Sequence, residues 1–391
     1  MEKNKPIIIQ VVDSLLLGGA EKIAVELSEG FLRKGYEVHI IIHEDKITLA
    51  PPQGAHLHIL SEKRNITGIK FIDRTILAKK LKRIVNLIGH GTSVPPLIIS
   101  HLSRSHLLCK MAGFKNVLYV FHSTISRSIQ NRKKNAIKQF LAGLQVKNLY
   151  KRQLLVAVSN GVKDDLVINF GFSEKQVRTI YNPFNFEKIR RLSDEVPDID
   201  QPFPEKYLVS VARIKPEKRH DLMLDILSKL PEDIYLVLVG KEQEPLKSQL
   251  QQKAELLGIS HRIIWLGQVD NPYPILKQAE ALILTSDYEG FGNVLVEALC
   301  LGIPAISFDC PSGPSEILTG SLSHFLIPHG DVAGFVERIK SVLTEKPVID
   351  LSEIERFSVE QITEQYLDLY ENNLPEPRAS VYCCRYGRID F

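Results

Sequence analysis

Short apolar runs alternate with amphipathic stretches along most of this chain. "PIIIQVV", "YEVHIII", "PLIIS", "NVLYVF", "QLLVAVS" and "VRTIYN" read as buried strands of the first half. Between the first two, "AEKIAVELSEGFLRKG" has helical spacing and stops at Gly35. This is the rhythm of parallel βαβ units. A charged, polar stretch containing Pro197, Pro202 and Pro204 interrupts it, and the rhythm restarts with "YLVSVA", "IYLVLVG", "RIIWLG", "ALILTS" and "PAISF". The pattern predicts an α/β chain of two doubly wound domains facing a cleft, over residues 1–185 and 206–355, joined by a linker at 186–205. "SVEQITEQYLDLYENNL" predicts a terminal helix within 356–374, placed near the domain junction, and residues 375–391 have no period and read as a loose tail.

Composition narrows the class. With 391 residues, 44% hydrophobic and 24% charged, the chain is neither disordered nor fibrous and is long enough for two cores. No apolar run has the length of a bilayer span. The start, basic then apolar then small, has the outline of a signal peptide, but Asp13 interrupts it, and a first buried strand is the better reading. Five cysteines, an odd number with no pair at metal-ligand spacing, predict a reducing compartment and no structural zinc. Net charge is +3, yet Glu62 to Arg152 holds nineteen Lys and Arg against two acids, a local +17 that leaves −14 for the rest. Such asymmetry predicts an anionic partner: membrane headgroups, a phosphorylated acceptor or nucleic acid. No nucleic-acid-binding signature accompanies it.

The candidate chemistry lies at strand ends. In "VSVARIKPEKRHDL", Arg213 follows a strand and Lys218 precedes a helix, a placement that suits a diphosphate and equally suits an ordinary surface loop. In "SDYEGFGNVLVEAL", Gly290 and Gly292 permit a tight turn that presents bare N–H groups. Glu289 sits in that turn. Glu297 falls one turn into a helix, among Val294, Leu295, Val296 and Leu299, where a carboxylate needs partners. A sugar diol supplies two O–H donors; the competing reading puts Glu297 on a wet helix face. Gly18 and Gly19 precede a helix without a full GxGxxG, which argues against a dinucleotide. His122 ends a strand in "YVFHST"; His101, in "IISHLS", reads as structural. Asp198 and Asp200, the one Asp-x-Asp, lie in the linker, away from any strand end.

"EGFGNVLVEAL" resembles the E-x7-E element of retaining glycosyltransferases built from two Rossmann-like domains, the GT-B architecture, and of glycosyltransferase family 4 in particular. "GGAE", "VARIKPEK", "AVSNGVKDDL" and "IYNPF" are similar to that family's other motifs in the same order, and "DCPSGPSEIL" resembles bacterial branches that build lipopolysaccharide core, O-antigen or capsule. The resemblance implies a nucleotide-sugar donor, by family habit UDP-linked, with Glu297 on the ribose hydroxyls and Glu289 on the donor hexose. Arg213 and Lys218 would hold the diphosphate. Backbone N–H groups of Phe291, Gly292 and Asn293 would meet sugar or phosphate, and Gly18 and Gly19 would approach from across the cleft. His122 matches the family histidine placed near the reacting sugar. Asn293 stands where many relatives carry an apolar residue, which leaves the sugar open. The implied reaction retains anomeric configuration, uses no metal or other cofactor, and delivers a hexose or N-acetylhexosamine to a lipid-linked or lipopolysaccharide-type glycan. The enzyme would lie peripherally at the cytoplasmic face of an anionic membrane, without nucleic acid as partner. A nucleotide-sugar epimerase and a silent sugar-binding protein are the alternatives.

Overall fold

The computed structural model describes residues 5–62, 66–132, 135–197, 199 and 203–373. Strands β1 (Ile8–Val12), β2 (Val38–Glu44), β3 (His56–Ser61), β4 (Leu97–His101), β5 (Val117–Phe121), β6 (Leu154–Ala157) and β7 (Val177–Thr179) form one parallel sheet in the order 3-2-1-4-5-6-7. Strands β8 (Tyr207–Val211), β9 (Tyr235–Val239), β10 (Ile263–Gly267), β11 (Ala281–Leu284), β12 (Ala305–Phe308) and β13 (Leu326–Ile327) form the second, ordered 10-9-8-11-12-13. Chain order reverses between β1 and β4 and again between β8 and β11. At such reversals the crossover helices leave in opposite directions and open a crevice outside the carboxyl ends of the strands. The two crevices face each other.

Two strands are absent from the sequence reading. β3 is an edge strand of mixed polarity, "HLHILS", with only Leu60 fully buried. Half-exposed edges do not produce an apolar run. β13 has two residues.

The stretch read as a linker begins instead as a helix, Phe186–Ser193, capped by Asn185, whose Oδ1 accepts from the Lys188 N–H at 3.1 Å. It has partners in both domains. Lys188 reaches Glu26 at 3.2 Å and Glu29 at 2.5 Å on the first-domain helix Gly19–Arg33. On the other side, Asn271 donates to the Leu192 carbonyl at 2.8 Å. Asp198 and Asp200 lie outside the described residues, as do Arg64, Lys133, Lys134, Cys383, Cys384 and the tail 375–391. Cys109, Cys300 and Cys310 are buried free thiols.

The last helix, Val359–Glu371, returns to the first domain. It packs on Gly19–Arg33 so closely that a Cβ at Gly30 would come within 2.2 Å of the Thr363 hydroxyl. The two passes between the domains run side by side, Phe184 N–H donating to the Phe357 carbonyl and Val359 N–H to the Phe184 carbonyl, each at 2.9 Å. The crossing is thus a two-stranded junction. Among the described residues no helix is long and apolar enough to cross a membrane.

Candidate active site

The second domain supplies a turn and a helix start beyond β11. Gly292 has φ +96° and caps the helix Asn293–Cys300, a conformation that costs a side-chain-bearing residue dearly. Phe291 points inward, 2% exposed, with its ring 5.5 Å from Tyr181 and 5.3 Å from Phe357. Only its backbone is left for a ligand. Gly290 serves a different purpose from the one the sequence suggested. A Cβ there would lie 2.0 Å from the His122 carbonyl oxygen, so its smallness lets the first domain's backbone approach. Ser159 fixes that approach by donating to the Gly290 carbonyl at 2.7 Å.

Each of the two glutamates has its own lysine. Glu289 Oε1 accepts from Lys218 Nζ at 2.6 Å and from the Ser286 hydroxyl at 2.7 Å. Lys218 and Glu289 therefore form an ion pair with each other within the candidate site. Glu297, 5% exposed on the inner face of its helix, meets Lys22 Nζ from the helix Gly19–Arg33 of the opposite domain. Lys22 also contacts the Tyr273 hydroxyl, and its ammonium lies 4.9 Å from that ring's centre. Burial opposes the charge on Lys22, but the Glu297 carboxylate and the Tyr273 oxygen outweigh it and raise its pKa above the ordinary lysine value. Burial drives the Tyr273 phenol well above its usual range, so it is neutral and able to donate.

The remaining predicted residues line the same gap. Arg213, just past β8, is exposed. It faces Glu21 of the first domain, whose carboxyl is raised chiefly by burial while Arg213 pulls it down. Gly18 caps the helix that carries Glu21 and Lys22. Gly19 faces the Asn293 side chain, whose Nδ2 would lie 3.8 Å from a Cβ there. Asn293 Oδ1 accepts from Asn182 Nδ2 at 2.7 Å, so this residue ties the donor-side helix to the end of the first sheet. Glu316 reaches across to the start of the helix Asn160–Asp164, accepting from the N–H groups of Asn160 at 2.7 Å and Gly161 at 3.1 Å.

His122 stands at the carboxyl end of β5 and is the last member of a buried relay. Its Nε2 is 2.9 Å from His101 Nδ1, and His101 Nε2 is 2.8 Å from Gln10 Oε1. Burial depresses His122 to about 4 and holds His101 well below its usual range, with His122 adding to the second effect. Both rings are neutral at pH 7. With Nε2 engaged, Nδ1 is the nitrogen of His122 left for a substrate. His101 thus holds the His122 ring in its orientation.

Lys22 and Tyr273 escaped the sequence reading. Lys22 had a faint signal: it follows "GGAE" directly and lies in the first turn of a helix whose start faces the cleft. Tyr273 had none, because only folding brings the helix Tyr273–Lys277 beside Glu297.

Two family models divide the chain between them: "Glycosyltransferase Family 4" over residues 17–188 and "Glycosyl transferases group 1" over 195–357. The chain is 28% identical over 338 residues to the N-acetylgalactosamine-N,N'-diacetylbacillosaminyl-diphospho-undecaprenol 4-alpha-N-acetylgalactosaminyltransferase of Campylobacter jejuni, covering 85% of this chain and 88% of that protein. It is 33% identical over 223 residues to the lipopolysaccharide 1,6-galactosyltransferase of Escherichia coli, covering 54% and 58%. In structure it superposes on Anabaena Alr3699/HepE, solved with UDP and glucose, with a TM-score of 0.75 at 18% identity, covering 94% of this chain and 100% of the other. With matching models on both domains in sequence order, the chain belongs to glycosyltransferase family 4, enzymes of the GT-B architecture that transfer sugars.

Proposed function

We propose that this glycosyltransferase takes a hexose or N-acetylhexosamine from a UDP-sugar and delivers it, with retention at the anomeric carbon, to a lipid-linked or lipopolysaccharide-type glycan. The observation that carries the reading is the pair of lysine-partnered carboxylates flanking one helix start at the reversal point of the second sheet. Glu297 takes the ribose hydroxyls, and Glu289 the hexose. Arg213 and Lys218 face the diphosphate together with the N–H groups at the start of Asn293–Cys300. Gly18 and Gly19 close on it from the first domain.

In the reaction the bond from the anomeric carbon to the β-phosphate oxygen breaks and its electron pair leaves with the diphosphate. The cations neutralise that charge in place of a metal ion. The acceptor hydroxyl attacks the oxocarbenium-like carbon from the face just vacated, and its proton passes to the departing phosphate. The proposed reaction includes no covalent glycosyl-enzyme intermediate. His122, being neutral, contributes a hydrogen bond to the sugar through Nδ1 and not a positive charge.

The acceptor side supports a membrane-borne substrate. The basic helix Lys70–Ile88 turns Leu77, Leu81 and Val85 inward yet leaves Phe71 74% exposed near its start and Leu87 67% exposed beside Lys82 and Arg83. Nearer the cleft, the helix Ala136–Tyr150 exposes Ile137, Phe140 and Leu144. Phe140, Leu144, Lys147 and Phe170 border a groove of about 400 Å³ that is also lined by Ser126 and Ile129. Their helix, Ile125–Arg132, touches the donor side through Asn131, which donates to the Tyr288 hydroxyl at 2.7 Å. Apolar side chains among lysines suit an anionic interface, each basic group there contributing about 1 kcal/mol.

The test is product analysis with labelled UDP-sugars and a polyprenyl-diphosphate glycan, the donor first chosen by thermal shift. The expected product is an acceptor extended by one sugar in the donor's anomeric configuration. Free or isomerised sugar without an acceptor product points to the epimerase and defeats the reading. For the membrane element, co-sedimentation with anionic liposomes should weaken at high salt and on replacing Lys79, Lys80, Lys82 and Arg83 together with Gln. Equal binding to neutral liposomes removes that element alone.

A further inference from the structure

On the far side of the first sheet from the cleft, two neighbouring strands present an unusual set of side chains. β2 is entered through Glu37-Val38-His39, and β3 begins His56-Leu57-His58. The strands pair in parallel with His39 opposite His56. Side chains alternate along a strand, so Glu37, His39, His56 and His58 share one face. The His39 ring stacks against both neighbours, 4.8 Å from His56 and 5.2 Å from His58 between centroids. Its Nε2 faces Glu37 Oε1 at 2.9 Å, and its Nδ1 faces His58 Nε2 at 2.9 Å. One donor atom from each of Glu37, His39 and His56 falls within 4.8 Å of the other two.

We infer that Glu37, His39 and His56 form a binding site for one late first-row divalent cation, of the zinc or nickel class, with His58 as the partner that orients His39. Imidazole nitrogens with one carboxylate are the donor set such ions prefer over magnesium or calcium. Ligands at about 2.0–2.2 Å from a tetrahedral ion stand about 3.4 Å from each other. The Nε2 to Oε1 gap of 2.9 Å therefore needs to open by roughly half an ångström. Glu37 and His56 are exposed and free to make that adjustment, whereas His39 is buried and fixed. A cation at His39 Nε2 leaves the proton on Nδ1, aimed at His58 Nε2, the outer hydrogen bond that ligating histidines usually make. The face holds three imidazoles in contact, His39 between His56 and His58.

The position fixes the role. His39 and His56 lie at the amino ends of their strands, and the sugar-transfer cleft lies at the carboxyl ends. The ion would pin the edge strand β3 to β2 and take no part in transfer. The cysteine count that argued against structural zinc was blind to it, because the site uses no thiol and its histidines belong to a strand that the apolar pattern did not reveal.

The test uses the full chain without a histidine tag, stripped by chelator and freed of it. Titration with Zn²⁺ by calorimetry should give one ion per chain, and Co²⁺ should develop the visible band of a tetrahedral site. Glu37→Gln with His56→Ala, both exposed positions, should raise the dissociation constant at least tenfold and abolish the band. His261→Ala, an exposed histidine of the other domain, should change neither. No saturable uptake by the parent chain overturns the inference. So does uptake that is indifferent to the double replacement.

Discussion

Glu297 and Glu289 should separate nucleotide binding from turnover. A hydrogen bond to a charged acceptor contributes about 1.5–3 kcal/mol. Two such bonds from a ribose diol would suggest double that, but Glu297 Oε1 already accepts from Lys22, so a diol adds roughly one net bond. Glu297→Ala should therefore weaken UDP by a factor of about 10 to 150, since about 1.4 kcal/mol is tenfold. The variant is expected to fold, because Lys22 keeps 31% of its side chain exposed and can turn to water. Glu289→Ala frees Lys218 from a pair at 2.6 Å and places its undiminished charge beside the diphosphate. UDP affinity should then hold within about threefold, or improve, while transfer falls by about a hundredfold or more, as for other lost contacts to the reacting group. Calorimetric titration of UDP against both variants, paired with a turnover assay, measures the two effects separately. Equal losses of UDP affinity, or none for Glu297→Ala, would refute the assignment of the two carboxylates to opposite ends of one ligand.

Three further outcomes are expected. Lys22→Met leaves the Glu297 carboxylate, 6% exposed, without its cation; discounting the usual cost of a broken buried pair for the partial exposure of Lys22, stability should drop by about 1–3 kcal/mol, and most of that loss should vanish in a Glu297→Gln background in chemical denaturation. Sugar transfer should survive excess chelator, and a complete loss restored only by added divalent metal would reinstate a catalytic ion. His43 and His106, held near 3 by burial, and His122, held near 4, stay neutral in the fold but take up protons once unfolded, at about 6.5. Their contribution is complete above pH 6.5 and is lost as pH falls toward 4 for His122 and toward 3 for His43 and His106, so the melting temperature should decline steadily across that window; a flat profile contradicts the buried, neutral assignment.

The sequence by itself determined the parts that depend on near neighbours in the chain. Buried parallel strands leave unbroken apolar runs, so eleven of the thirteen strands among the described residues and the doubly wound class were legible. The ordered motifs led to the family, while Glu297 read equally as buried or on a wet helix face until the packed structure put it inside. What depends on distant pairs was not legible. Lys22 and Glu297 are separated by 275 positions, and nothing local to either marks the other. The same holds for Gly290 against the His122 carbonyl, for the relay from Gln10 through His101, and for the last helix, whose return to the first domain turns on Gly30 meeting Thr363. The charged segment from Phe186 read as a linker because charge predicts solvent, but its lysine met two glutamates of another helix instead. Periodicity records which face of an element leaves water; only the packed chain decides which side chain waits on the other side.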